Sequence, residues 1–496
     1  NDMEGAVNFL TRLLDRSTSK GDVKPASYGT NDEDTPRAPS TSNDAEFYGA
    51  ANARSDEHDE LEQTEMFPYV ENAKYLLISC VVWAHAIEDF LSTSTAADAE
   101  TWSVRRTKLE VLEPLLPWLR ALYFTLSSFS MPLFTVLAGF QSKTWLEIAR
   151  GHDSKAGLML SRVRGSTSTL LSAWALWQAL YVAVSYSDVK PLQWWSPVGV
   201  TWFLLALWVW RSSVLLIGAF SDVLVSVIVC AVAILVGFTD TPTTTNGLTF
   251  LDWQRTCTFA LYFYVGLVLM RRERLNDVLV RMEESKTPWL RYVVGVLGLG
   301  AVFGGFMLSD HLGEPFSEVQ DWLLVAKPYG FTKWYDPVVD ALLRVLLYVS
   351  VAFASVSFMC LVPMHRHWFT ELGSRTIAAY LLHRVFLTVY TDVAAKFWDD
   401  DDMDVALEIT LGVFVLPLIV SQLCLTRLVT KLCTPLLSPA RRIGALVPTI
   451  FHVRPNAYAL DEGVADQGFV DSVAEDTVET PLAPDDRDVA RRWRPE

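Results

Sequence analysis

The stretch from Asn72 to Phe90 places a histidine and a glutamate inside a run of apolar residues. His85 and Glu88 are three positions apart, so they share one face of a helix and their side chains can meet. A carboxylate beside an imidazole fixes its tautomer or stabilises its charged form. An ionisable pair of this kind inside an apolar run is interpreted first as functional. The alternative is a core histidine that bonds a backbone carbonyl.

Two spacings place histidines deep in a membrane if their helices cross one. Ten residues lie between Lys74 and His85, so at about 1.5 Å per residue the histidine lies about 16 Å along the axis. His383 stands about eight residues into a later apolar run, which corresponds to roughly 12 Å. An ionisable group near the bilayer centre is costly unless a partner or water satisfies it, so the first interpretation is functional. His383 is therefore predicted to have a functional part, with a bond to a helix carbonyl as the alternative.

Arginines also border or interrupt the apolar runs. Arg255 and Arg375 precede such runs, where anchoring of the side chain at the membrane surface is the simpler interpretation. Arg344 differs because it lies inside the segment ALLRVLLYV and needs a buried acceptor or water. Asp340 and Asp336, about one and two turns earlier, are the candidates for that acceptor.

The elements that carry these residues belong to a chain of 496 residues, of which 51% are hydrophobic and 18 are tryptophan. With a positive mean hydropathy, this composition predicts a polytopic membrane protein and excludes an ordinary soluble enzyme. Most of the acid behind the net charge of −16 lies in the two tails, so no nucleic-acid partner is expected. The six cysteines lie mostly in or beside apolar runs without CxxC spacing, so neither disulfides nor a metal site is expected.

Apolar runs recur after Asn72 at lengths that suit membrane helices, and they predict an all-α bundle of about ten transmembrane helices. The approximate spans are 73–92, 116–140, 166–186, 200–218, 221–238, 256–271, 289–308, 338–361, 375–394 and 405–426. Within these runs, Gly139 and Gly266 are predicted to permit close approach of neighbouring helices.

Loop charges predict how the chain is threaded through the membrane. Lysine and arginine concentrate in the second, sixth and eighth loops, whereas the odd loops are acidic or mixed. Because positively charged loops stay in the cytoplasm, both termini are predicted to be cytoplasmic. Residues 1–66 and 436–496 are predicted to be disordered acidic tails around a membrane domain at 67–435. The chain begins without a methionine, which is compatible with a fragment or a processed form.

Four apolar stretches carry longer motifs: NAKYLLISCVVWAHAIE, SSFSMPLFTVLAGFQSK, TWFLLALWVWR and ELGSRTIAAYLLH. In this order they resemble the membrane-bound acyltransferase-3 family, particularly its fucose 4-O-acetylase-like branch, over most of residues 70–430. The family's opening helix has a basic residue, ten others and a histidine, which here are Lys74 and His85. The other three stretches resemble the family patterns FHMPLFFFISG, WFL and LGRNTLxIYLLH. Ser130 is a departure, because many relatives have a second histidine at that position.

The resemblance implies an integral membrane enzyme that transfers an acyl group, usually acetyl, from cytoplasmic acyl-CoA to a hydroxyl of a carbohydrate or other acceptor. It makes His85 the general base, supported by Glu88. Lys74 would lie at the cytoplasmic mouth, where a cation meets the phosphates of CoA, and Arg375 is the second residue expected to bind the donor. The residues expected to bind the acceptor are His383, Trp202, Arg255 and Arg344.

Two other functions compete with acyl transfer. A secondary transporter would use His85 and Glu88 as a proton relay, but the sequence lacks the internal symmetry that is typical of transporters. A family member that only binds its ligands is disfavoured by the intact Lys74, His85 and Glu88. Nucleotide hydrolysis is not expected, because no glycine-rich phosphate loop occurs.

Overall fold

The apolar runs of the sequence fold as helices. A computed structural model describes residues 68–95, 114–151, 163–184, 196–239, 250–269, 287–311, 336–397 and 410–437, together with a few isolated residues outside these ranges. No strand occurs in the ranges described, so the all-α class predicted from the sequence is confirmed for them. The predicted tails at 1–66 and 436–496 lie almost wholly outside the described residues.

The α-helices of the described chain are α1 (Pro68–Thr95), α2 (Leu116–Gln141), α3 (Lys143–Arg150), α4 (Ser172–Val184), α5 (Trp202–Ile217), α6 (Asp222–Leu235), α7 (Trp253–Tyr264), α8 (Leu290–His311), α9 (Pro337–Leu361), α10 (Thr370–Gly373), α11 (Thr376–Phe397), α12 (Leu416–Cys424) and α13 (Arg427–Leu437). Short 3₁₀ turns flank some of them, at Gly199–Thr201, Val236–Phe238 and Phe250–Asp252. Wider π turns occur at Thr167–Leu171, Val265–Leu269 and Thr410–Val415. A helix therefore lies within each run that was predicted to cross the membrane.

The number of membrane crossings is a separate question from the number of helices. In the described part of the chain, four helices are long and apolar enough to span a membrane, or five if the bent pair at its end is one span. The four are Leu116–Gln141, Gly199–Ile217, Leu290–Ser309 and Pro337–Leu361, and the bent pair joins Leu411–Cys424 to Arg427–Leu437 at 68°. Ten crossings thus stay a prediction, while a membrane protein built of apolar helices is supported.

Helix α2 lies at the centre of the bundle. It packs against α1, α7, α8 and α9. Of its apolar 18-residue stretch, 83% is buried inside the protein. The apolar 18-residue stretches of α8 and α9 are only 11% and 28% buried. Helices with wide exposed apolar faces are suited to contact with lipid, so α8 and α9 are placed where a bilayer would surround them.

Two glycines allow α2 to meet the end of α7 and the π turn after it backbone to backbone. A Cβ atom on Gly139 would overlap the carbonyl oxygen of Phe263, and one on Gly266 would overlap the carbonyl oxygen of Val136. Any larger residue at either position would force the two segments apart. The close helix approach predicted at Gly139 and Gly266 is confirmed.

Candidate active site

His85 and Glu88 form the pair that their spacing predicts. The Nδ1 atom of His85 lies 2.8 Å from Oε2 of Glu88, and the two side chains are 27% and 23% exposed. A carboxylate accepts hydrogen bonds, so Nδ1 carries the hydrogen and donates it. In the neutral imidazole the other nitrogen, Nε2, then has a free lone pair. The pair is therefore arranged so that Nε2 of His85 can accept a proton.

A second histidine lies against the first. The rings of His85 and His383 are stacked, with centroids 5.2 Å apart and planes 27° from parallel. Nδ1 of His383 lies 3.0 Å from the carbonyl oxygen of Ala379, which can only accept, so this nitrogen also carries the hydrogen. Nε2 of His383 is buried and has no hydrogen-bond partner among the described residues. Two imidazole lone pairs are thus available at one place in the bundle.

An ion pair that the sequence reasoning missed holds the two histidine helices together. Arg384 donates from Nη1 to Oδ1 of Asp89 over 2.8 Å, and both side chains are partly buried. Asp89 follows Glu88 on α1, and Arg384 follows His383 on α11, so the pair joins the helices beside the stacked rings. The sequence does show a charged residue directly after each site residue, with Asp89 after Glu88 and Arg384 after His383. Their pairing could not be read from the sequence, because it depends on how α1 packs on α11.

Trp202 and Arg255 lie next to this site. The guanidinium carbon of Arg255 is 5.1 Å from the ring centroid of Trp202, a cation–π arrangement. Nη1 of Arg255 also donates to Oδ2 of Asp252 over 2.9 Å. Arg255 interacts electrostatically with Glu88 as well. The two predicted acceptor residues are therefore brought together at the edge of the histidine pair.

The backbone just before α7 supports this placement of Arg255. Leu251 and Asp252 both have left-handed conformations, with φ of 54° and 49°. Such conformations are costly for residues other than glycine, and they persist where the surroundings hold them. Here they turn the chain into α7 and leave the Asp252 carboxylate within reach of Arg255.

Lys74 lies at the other end of α1, where it already has a partner. Its Nζ atom is 2.7 Å from Oε1 of Glu71, and both side chains are buried, at 8% and 9% exposure. His85 is eleven positions further along the helix than Lys74, or about 16 Å. The sequence reasoning treated Lys74 as an uncommitted cation and overlooked Glu71, although the two are only three positions apart.

Asn72 fastens this end of α1 to the segment that leads into α11. Its Nδ2 atom donates to the carbonyl oxygens of Pro363 and His365 over 3.0 and 2.9 Å. Its Oδ1 atom accepts from the hydroxyl of Thr370 over 2.7 Å. Arg375, five positions after Thr370, is also buried, and its Nη1 atom lies 3.5 Å from the carbonyl oxygen of Leu425. Both predicted donor-binding residues, Lys74 and Arg375, are thus held by the protein itself.

Arg344 belongs to a different cluster. It lies on α9 with its guanidinium carbon 4.5 Å from the ring centroid of Tyr329. Asp340, one turn earlier, is fully buried and interacts electrostatically with Arg344. Asp336 caps the start of α9 instead, accepting from the backbone nitrogen of Val338 over 2.8 Å. Of the two acidic candidates, Asp340 is the one that faces the arginine.

The residues that the structure describes contain no cluster of three or more histidine, cysteine or acidic side chains that could hold a metal ion.

No curated protein and no solved structure matches the chain. A family model for the acyltransferase domain, acyltransferase-3, matches residues 67–426. This match runs from the start of α1 to the end of α12 and covers well over half of the chain. The chain therefore belongs to the acyltransferase-3 family.

Proposed function

We propose that this protein transfers an acetyl group from acyl-CoA to a hydroxyl of a carbohydrate acceptor, as in the fucose 4-O-acetylase-like branch of its family. Membership of the family makes membrane acyl transfer the class of activity. The donor, the acceptor and the residues that act on them are the proposal. The observation that carries it is the His85–Glu88 pair, whose free Nε2 lies beside a second buried histidine.

His85 acts as the general base in this mechanism. Its Nε2 atom takes the proton of the acceptor hydroxyl while the hydroxyl oxygen attacks the thioester carbonyl. A carbon–oxygen bond forms, the carbon–sulfur bond breaks, and the proton held by His85 passes to the departing thiolate. Glu88 stabilises the imidazolium that exists between these two transfers, because its carboxylate accepts the hydrogen bond from Nδ1.

His383 positions the acceptor. Its Nδ1 hydrogen is committed to Ala379, so Nε2 can receive a hydrogen bond from a hydroxyl. A hydroxyl held there would lie beside the ring of His85, where its proton is to be removed. Trp202 and Arg255 offer an aromatic face and a cation at the edge of the same site, which suits a sugar ring with polar substituents.

The donor binds with its phosphates toward the opposite end of α1. Lys74 and Arg375 supply the cations there, and the thioester extends toward His85, about 16 Å along the helix. Lys74 is paired with Glu71 in the free protein. Donor phosphates must therefore compete with that carboxylate for the Lys74 ammonium, or share it.

A proton-coupled transporter would also need buried histidines and carboxylates, but membership of the acyltransferase-3 family does not favour it. The test is to incubate membranes that contain the protein with radiolabelled acetyl-CoA and a panel of glycans. Acyl transfer predicts label on the sugar as an ester that alkali releases. Uptake of a glycan driven by a pH gradient, with no labelled ester, would contradict the proposal.

A further inference from the structure

A second polar cluster lies in the bundle away from the histidine pair. Arg344 is only 3% exposed, and Asp340 next to it is fully buried. The ring centroid of Tyr329 lies 4.5 Å from the guanidinium carbon, and Tyr262 and Tyr348 are the other tyrosines close to it. An arginine, an acid and three tyrosines in one interior place are more than helix packing alone requires.

The guanidinium has donor atoms to spare. Nε and Nη1 of Arg344 are buried and have no hydrogen-bond partner in the part of the chain that the structure describes. The hydroxyls of Tyr329 and Tyr348 donate to the carbonyl oxygens of Ile234 and Ala233, at 2.9 and 3.3 Å, so their hydrogens point to α6. A buried cation with unsatisfied donors is unfavourable, and an anion that accepts from them relieves this cost.

Arg344 and His85 lie at similar distances along their helices from one contact between α1 and α9. The hydroxyl of Tyr69 on α1 donates to the carbonyl oxygen of Met359 on α9 over 2.8 Å, which aligns the two helices at one end. From that contact, Arg344 is fifteen residues back along α9, or about 22 Å. His85 is sixteen residues along α1 from Tyr69, or about 24 Å. Both therefore lie far from the end of the bundle that holds Lys74.

A row of aromatic rings joins the two sites. Arg255, Phe259 and Tyr262 lie on one face of α7, because they are four and seven positions apart. The ring of Phe259 is 5.2 Å from that of Trp202 and 5.3 Å from that of Tyr262, and Tyr262 is 5.7 Å from Tyr348. The row thus runs from the edge of the histidine pair to the neighbourhood of Arg344.

We propose that Arg344 binds an oxyanion carried by the acceptor, at a point distant from the hydroxyl that is acylated. This inference rests on the proposed function for its acceptor, a carbohydrate. Charge-assisted hydrogen bonds to a carboxylate or phosphate would use Nε and Nη1, and the aromatic row would lie under the sugar rings between the two sites. The acceptor class is then an anionic saccharide, such as one that contains a uronic acid.

The test uses the full chain in nanodiscs of phosphatidylcholine. Equilibrium binding and transfer of radiolabelled acetyl are measured with three methyl glycosides that each contain three sugar rings, long enough to reach both sites: one that ends in glucuronic acid, one that ends in glucose 6-phosphate, and a neutral methyl glucoside of the same length. The anionic sugars should bind about tenfold or more tightly than the glucoside, the effect of one charge-assisted contact. Arg344→Gln should remove this preference by weakening the binding of the anionic sugars. Arg344→Lys keeps a cation in place and should retain part of the preference.

Arg291→Gln is the matched control, because Arg291 lies on α8 and donates to the carbonyl oxygen of Val362. It should leave the preference unchanged. Equal binding of the three sugars by the native protein, or a preference that survives in Arg344→Gln, would overturn the inference. So would loss of the preference when phosphatidylglycerol is added, because the site would then belong to a lipid phosphate. A preference for anions without any acetyl transfer would support the anion site and contradict the proposed reaction.

Discussion

At the scale of residues, the chemistry depends on which imidazole nitrogen is free. His85 and His383 each commit Nδ1 to an acceptor, one to a carboxylate and one to a carbonyl. The carboxylate can stabilise a positive charge on its histidine, whereas the carbonyl offers only a dipole. The two rings are therefore suited to different tasks: His85 to hold a proton in transit, and His383 to receive a hydrogen bond from a hydroxyl while neutral.

Replacing Glu88 tests this division. Glu88→Gln keeps an oxygen that accepts from Nδ1 of His85 but removes the negative charge that stabilises the imidazolium. We expect turnover at saturating acyl donor to fall, yet by less than the loss caused by removing the histidine. Steady-state kinetics with both substrates varied would measure it. A Glu88→Gln protein with native turnover would show that the carboxylate takes no part.

His383 offers a matched pair of substitutions. A glutamine side chain can present an acceptor near the position of Nε2, whereas asparagine reproduces only the Nδ1 donor that bonds Ala379. We expect His383→Asn to raise the KM for the acceptor strongly while leaving the KM for acyl-CoA near its native value, and His383→Gln to recover part of the loss. If both variants change only the KM for acyl-CoA, His383 does not position the acceptor.

At the scale of elements, the spacing of residues within one helix could be read from the sequence, and the pairing of helices could not. The contact of His85 with Glu88 follows from three positions on one helix face, and the same rule would have found Glu71 beside Lys74. Asp89 and Arg384 are 295 positions apart, and nothing local links them. Each predicted run contains a helix because apolar length is a strong signal. The short helices α3, α10 and α13 lie outside the runs, and neither they nor the π turns and the bend in the last helix pair have such a signal.

The contact between α2 and the turn after α7 can be tested through its glycines. Gly266→Ala adds a methyl group where the carbonyl oxygen of Val136 lies, so backbone must move. We expect the free energy of unfolding to fall by about 1 to 3 kcal/mol or more, the usual cost of overpacking. The measurement is the midpoint of thermal unfolding in detergent, which should be lower than that of the native protein. Gly300→Ala on α8 is the control, because a Cβ there meets no atom within 4 Å. Equal midpoints for the two variants would mean that the helices do not pack in this way.

At the scale of the whole molecule, the bundle has two chemically different ends. Lys74, Asn72 and their partners lie at one end, and the histidine pair lies along α1 toward the other. Between them, α2 is buried, while α8 and α9 leave apolar faces for lipid. In the proposed reaction, the donor would approach the end that holds Lys74, and the acceptor would approach from the other end.

The tails should be dispensable for this reaction. Residues 1–66 and 436–496 are too polar to build a packed site, and the family match lies within 67–426. A shortened chain of residues 67–435 should insert in membranes and transfer acetyl at a rate close to that of the full chain. Correct insertion with loss of transfer would show that a tail contributes to catalysis.

The most direct test of the account is the turnover of His85→Gln. Glutamine is similar in size and can hydrogen-bond, but it cannot take up a proton as an imidazole does, so insertion should be preserved. Acetyl transfer by the purified protein, measured with saturating donor and acceptor, should fall roughly 10² to 10⁴-fold, the usual contribution of a general base. A His85→Gln protein that transfers acetyl at the native rate would contradict the assignment of His85 as the base.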